Sequence, residues 1–233
     1  MDANMRHLLN NRLDALYSHD ANNRLLAVNE PDTNQETPCL VIMRGEANLL
    51  WRVRHDVPDD IVASLGEVLQ SEPATNNFAS PLKYHSDYSD ILEQYAPLKR
   101  LHSGPAYILS ETSSTKAAVR ITSHNAHLAE EHFPYTLEIL DFRSPVIAVI
   151  DGDSAISVCF SARKTDTVAE AGVFTIEDYR KKGYALRVVQ DWSIAIRDLG
   201  IIPIYSTSAD NIASQSVAKK LGAIQFATDF GFY

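Results

Sequence analysis

Residues 168–199 constrain the fold of this chain more than any other stretch. Val168, Glu170, Gly172 and Phe174 alternate with Ala169, Ala171, Val173 and Thr175, the pattern of a strand covered on much of both faces. From Ala185 to Leu199, Val188, Val189, Trp192, Ala195, Ile196 and Leu199 recur at helical spacing, and Gly200 is placed to end the helix. Pro203–Thr207 reads as the next strand. Asp210 or Asn211 can cap a second helix with Ala213, Val217 and Leu221 on its inward stripe, and Gly222 stops it. Lys219 and Lys220 fall in its last turn, where the helix dipole favours cations. Ala223–Ala227 reads as a final strand.

Between the first strand and its helix lies Arg180-Lys181-Lys182-Gly183-Tyr184-Ala185. A turn here aims several backbone N–H groups at one point, at the positive end of a helix dipole, which makes an anion site suited to phosphate. Gly183 lets a ligand oxygen approach the backbone, and Ala185 keeps the helix start uncluttered. Arg187, Lys219 and Lys220 add to the local positive charge.

Val173–Ala185, followed by Asn211-Ile-Ala-Ser-Gln-Ser-Val-Ala-Lys-Lys-Leu-Gly222, resembles the two acyl-CoA-binding motifs of the GNAT superfamily of N-acetyltransferases, in the same order and at the same spacing. The resemblance covers about 105–233 and implies an α+β (mixed α/β) fold with a mixed, splayed central sheet. A small α+β domain over 1–100 precedes it.

What the resemblance implies can be carried onto residues. Acetyl-CoA as acyl donor would lie along Val173, Phe174 and Thr175, the backbones of Val173 and Thr175 bonding its pantetheine arm. The N–H groups from Arg180 through Ala185 would hold the pyrophosphate. Asn211 matches the asparagine that contacts the cofactor arm, with Ser214 one turn later. A main-chain N–H near Val173 would polarise the thioester carbonyl. An amine acceptor would attack directly, without an acyl-enzyme, and must lose a proton. Glu170 is the candidate base; its alternative role is to pair with Arg163 or Lys164 on a neighbouring strand. No metal is needed.

One departure bears on catalysis. Many family members carry a tyrosine seven residues after the helix asparagine, where it reprotonates the leaving thiolate; here that position is Ala218. Tyr205 or Ser216 could substitute, or CoA could leave as thiolate. Three function classes follow: an acetyl-CoA-dependent N-acetyltransferase, a non-catalytic acyl-CoA-binding regulatory module, and a structural protein using the fold without cofactor.

The first hundred residues carry no chemical motif. Met5, Leu9, Leu13, Leu16 and Tyr17 make an amphipathic helix, and residues 19–24 a turn-like break. Leu25–Val28, Cys39–Met43 and Asn48–Arg54 read as strands, the last two joined by a hairpin turn at Arg44–Ala47. Asp59 or Asp60 can cap a helix through Leu69, and the Ser-, Asn-, Pro- and Asp-rich stretch 71–90 reads as a linker or long loop. A degenerate acyltransferase-like half, a substrate-specificity module and a dimerisation element that would make a homodimer all stay open for this part. Further on, Tyr107–Leu109 and Val119–Ile121 suit strands, Asn125–His132 and Tyr135–Leu140 helices. Pro145–Asp151, Gly152-Asp153 and Ala155–Arg163 suit a hairpin.

Composition narrows the partners. The net charge is −9, which speaks against nucleic acid. No apolar run is long enough to span a membrane, and no signal peptide is visible. Cys39 and Cys159 lie far apart without metal spacing, as in a cytoplasmic protein with reduced thiols, and Cys159 sits in a strand pattern that suits core packing. His124, His127, His132, Glu130 and Glu131 form a polar cluster whose spacing does not converge as metal ligands do.

Overall fold

The structure is a computed structural model and describes residues 2–31, 35–73, 75, 77–111, 113–114 and 118–233. In chain order its elements are α1 (Asp2–Leu16), β1 (Tyr17–His19), β2 (Leu25–Val28), β3 (Leu40–Arg44), β4 (Leu49–Val53), α2 (Asp59–Ser71), α3 (His85–Glu93), β5 (Leu101–Ile108), β6 (Val119–Ile121) and α4 (His127–Glu130). Then come α5 (Pro134–Glu138), α6 (Leu140–Arg143), β7 (Val146–Asp151), β8 (Ser154–Lys164), β9 (Val168–Thr175), a 3-10 turn (Glu177–Tyr179), α7 (Tyr184–Arg197), β10 (Ile202–Ser206), α8 (Ile212–Lys220) and β11 (Ile224–Phe232). The chain forms two compact units. One holds 1–106, 207–210 and 225–233; the other holds 107–206 and 211–224. The C-terminal strand thus belongs with the first hundred residues, a return that the division into 1–100 and 105–233 did not include.

In the first unit β3 pairs antiparallel with β4 on one side and with β11 on the other, Ile42 lying opposite both Trp51 and Phe230. Leu40, Ile42 and Phe232 pack there against Ile61 and Leu65 of α2. Neither Asp59 nor Asp60 caps α2: Pro58 holds the N-cap position, and the two acids fall in the first turn, where the helix dipole favours them. The expected loop at 71–90 contains the start of α3, whose Tyr88 and Leu92 are fully buried in the same core; positions 74 and 76 lie outside the described residues. Residues 72–73, 75 and 77–84 are irregular as expected, and Ser86, Asp87 and Asp90 form the exposed face of the helix that follows. Arg12 lies inside the buried stripe of α1, 1% exposed, where the pattern predicted only apolar residues.

The second unit contains a mixed sheet in the order β10-β9-β8-β7-β6. β10 and β9 run parallel, and the other neighbours antiparallel. The β7–β8 turn is the predicted Asp-Gly-Asp, with Gly152 at φ 59. One face of the sheet packs on α7, with Ala169, Cys159 and Tyr205 against Val188, Trp192 and Ile196. The other carries Val158 and Phe160 with Phe133 and Ala129 from the short helices. α8 buries Ala218 fully, while Ala213 is exposed rather than part of the inward stripe. Leu199, also expected inward, is 54% exposed beyond the end of α7.

Candidate active site

Two features of β9 leave part of one edge without a strand partner. Its parallel pairing with β10 covers only Val168–Glu170, opposite Ile202–Ile204, and stops there. Its antiparallel pairing with β8 continues to Thr175. In an antiparallel ladder the N–H and C=O of one residue point to the same neighbour, and those of the next residue point away. Ile176 donates its N–H to the Ile156 carbonyl at 3.0 Å, so Phe174 and Gly172 also face β8. Val173 and Thr175 therefore point toward the side that β10 has left. That is the geometry an extended amide-bearing arm needs to pair with a strand edge.

The turn follows directly. Arg180 donates its backbone N–H to the Glu177 carbonyl at 3.0 Å, so this N–H is not available to a phosphate. Its side chain instead ties the turn to the strand, Nε donating to the Thr175 carbonyl at 3.3 Å. Lys181 and Gly183 adopt φ 62 and φ 85, and α7 starts at Tyr184. Among the described residues no acceptor takes the N–H groups of Lys181 through Leu186, and the first backbone bond of the helix runs from Arg187 to Gly183. These N–H groups sit at the positive end of a 14-residue helix. A pyrophosphate fits them. A Cβ at Gly183 would meet nothing within 4 Å, so it is the left-handed backbone that requires glycine there, not crowding. Lys182 Nζ lies 5.0 Å from the Tyr179 ring and the Arg187 guanidinium 5.4 Å from the Tyr184 ring, which holds both cations beside the turn.

Asn211 caps α8, its Oδ1 accepting the Ser214 N–H at 3.0 Å, and leaves its amide NH₂ to offer a ligand. The Ser214 hydroxyl lies 2.8 Å from that of Tyr205. Tyr205 is 2% exposed, and burial pushes its phenol above the ordinary value of 10.0. Ser216 is exposed.

Glu170 is 3% exposed and accepts a hydrogen bond from Ser206 Oγ at 3.4 Å. Arg163 stands opposite it on β8, whereas the Lys164 ammonium donates to the Ser144 carbonyl at 2.6 Å. Strand alternation places Glu170 on the face of Gly172 and Phe174, and Tyr205 on the α7 face. The two candidate catalytic residues thus approach the sheet from opposite sides. On the Glu170 face, Phe160 lies so close over Gly172 that a Cβ there would come within 2.5 Å of its ring. Phe160 also stacks on Phe174, and the buried Arg143 guanidinium sits 4.4 Å from its ring centre. Sequence reasoning missed Phe160, Arg143 and Ser206. A glycine in mid-strand was the available signal, because it marks close approach.

Cys159 is fully buried in the core against α7, and desolvation pushes its thiol up, as suits a packing role. Among the described residues no three His, Cys, Asp or Glu side chains are grouped to hold a metal, and no helix is long and apolar enough to cross a membrane.

Residues 143–231 match the family model of the GNAT acetyltransferases. A search of curated proteins finds no match. Among solved structures, the chain is similar to an acetyltransferase from the GNAT family of Colwellia psychrerythraea, with 12% identity, coverage of 81% of this chain and 78% of that one, and a TM-score of 0.48. It is also similar to a GCN5-related N-acetyltransferase-like protein of Streptococcus suis, with 16% identity, coverage of 87% and 86%, and a TM-score of 0.47. A putative acetyltransferase of the GNAT family from Novosphingobium aromaticivorans shares 16% identity over 58% of this chain, with a TM-score of 0.45; the chain spans 65% of its length, less than two thirds. The C-terminal half of this protein carries a GNAT-family acetyltransferase domain.

Proposed function

We propose that the chain is an acetyl-CoA-dependent N-acetyltransferase that transfers the acyl group directly to an amine. The observation that carries this reading is the continuity of two donor sets: the β9 edge at Val173 and Thr175, and the free N–H groups of Lys181–Ala185. A strand edge for an amide arm and an anion cradle for its pyrophosphate follow one another along a single strand, turn and helix start. Phe174, 59% exposed, offers its ring beside the same edge.

In this reading Val173 N–H stabilises the negative charge that develops on the thioester oxygen. Glu170 takes the proton of the attacking amine, directly or through water, and Ser206 orients its carboxylate. The acyl carbon forms a bond to nitrogen as its bond to sulfur breaks, and the electron pair leaves on sulfur. Arg180 keeps strand end and turn in register through its bond to the Thr175 carbonyl. The buried, reduced cysteines suit a cytoplasmic setting.

The alternative is a regulatory module that binds acyl-CoA without chemistry, which Ala218 in place of a helix tyrosine permits. Calorimetric titration with acetyl-CoA, CoA and NAD, followed by an amine panel with thiol release as readout, separates the two. Wild type should bind both CoA species and not NAD. Glu170→Gln should bind acetyl-CoA within about threefold and lose on the order of 10²–10³ in turnover. Binding without turnover on any amine would favour the regulatory module. Absence of binding at millimolar ligand would defeat both.

A further inference from the structure

Ala218 is fully buried at the position where the resembled pattern has a tyrosine. One turn earlier on the same helix face stands Ser214, and its hydroxyl meets a phenol from another element, Tyr205 of β10, at 2.8 Å. Tyr205 is the first residue of β10 beyond the last one paired with β9, and it belongs to the same buried cluster as Ala218. A phenol is therefore present at the start of α8, supplied by a strand rather than by the helix. It is 2% exposed, whereas Ser214 is half-buried and stands next to the capping bond from its own N–H to Asn211.

Resting on the acetyl-CoA reading above, we propose that Ser214 Oγ is the hydrogen-bond donor that receives the departing thiolate. Tyr205 is a positioning residue behind it, donating its own hydroxyl proton to Ser214 Oγ so that the serine proton points toward the ligand. The bond between acyl carbon and sulfur breaks with its electron pair on sulfur, and the amine's proton goes to Glu170. No proton leaves Tyr205. Its phenol lies above its ordinary value, while a thiol titrates near about 8.5, so the phenol stays protonated beside a thiolate. The titratable groups that face Tyr205 are Cys159 of β8 and Tyr107 of β5, both raised by burial and therefore neutral at pH 7. Neither brings a charge to the hydroxyl pair, so the proton order between Tyr205 and Ser214 is not disturbed by an ionised neighbour.

The test needs no acceptor. Binding of CoA and of desulfo-CoA, which lacks the sulfur, is measured by calorimetry between about pH 7 and 9.5 for wild type, Ser214→Ala, Ser214→Thr and Tyr205→Phe. Wild type should gain about tenfold in CoA affinity over desulfo-CoA as the thiol ionises. Ser214→Ala should lose that gain, Ser214→Thr should keep it, and Tyr205→Phe should reduce it severalfold. Desulfo-CoA should bind each of the four proteins without pH dependence from this source. Parallel profiles for the two ligands in wild type, or an undiminished gain in Ser214→Ala, would overturn the thiolate site while leaving the acetyl-CoA reading standing. Failure of both ligands to bind wild type would overturn both.

Discussion

Arg12 of α1 and Asp229 of β11, 217 positions apart, face each other through two parallel hydrogen bonds of 2.6 Å. The arginine is 1% and the aspartate 14% exposed. A buried guanidinium is costly unless its partner stays. Arg12→Ala or Asp229→Ala should each cost about 3 kcal/mol, lowering the melting temperature by roughly 6–12 °C. Replacing both with apolar residues of similar volume, Arg12→Met with Asp229→Leu, should cost clearly less than either single change. A thermal and urea denaturation cycle over the four proteins measures this.

Gly172 and Phe160 make a second pair that one substitution disrupts. A methyl at 172 would overlap the Phe160 ring at 2.5 Å and force it away from Phe174 and Arg143. Gly172→Ala should destabilise by about 1–3 kcal/mol. Phe160→Leu in the same chain should recover part of that loss, because the overlap goes with the ring. Urea midpoints of the two single variants and the double variant decide it; strict additivity would mean the clash is relieved elsewhere.

The turn before α7 should be sensitive to backbone chemistry. Gly183 at φ 85 faces open space, so a side chain there is strained without being crowded. Gly183→Val should lower stability by about 1–2 kcal/mol and weaken acetyl-CoA binding, and Gly183→Asn should be milder on both counts. Lys181, at φ 62, should accept glycine with little change. Melting curves with and without acetyl-CoA report both effects.

Stability should fall on mild acidification. Burial lowers His19 and His102 below the ordinary value of 6.5, against the opposing pull of Asp14 on the first and Asp229 on the second. The folded chain therefore binds fewer protons than the unfolded one between the folded and unfolded pKa values. Stability is fully present above about pH 6.5 and declines as pH drops below it. Melting temperatures at pH 5–7.5 should flatten in this range for His19→Gln and His102→Gln relative to wild type.

Much of the framework around the candidate site was legible because its signals are local. The β9 alternation, the glycine before α7, the Asn211 cap and the Gly152 turn each depend on residues within a few positions of one another, although the left-handed backbone of Gly183 came only with the structure. The period of two or 3.6 and the demand for φ > 0 are written in the chain itself. Other features depend on which segments meet. The sequence could not tell that β10 leaves β9 after Ile204, that Arg180 spends its N–H inside a 3-10 turn, or that Glu170 and Tyr205 take opposite faces. Nor could it place β11 beside β3, or hide Arg12 in an apolar stripe with its carboxylate 217 residues away. Such relationships arise from packing between distant elements, where a polar group becomes affordable in the core only once its partner is in place. Local pattern determined the elements and the glycine turn before α7; tertiary packing alone decided which backbone donors remain free and which side chains stand on either face of β9.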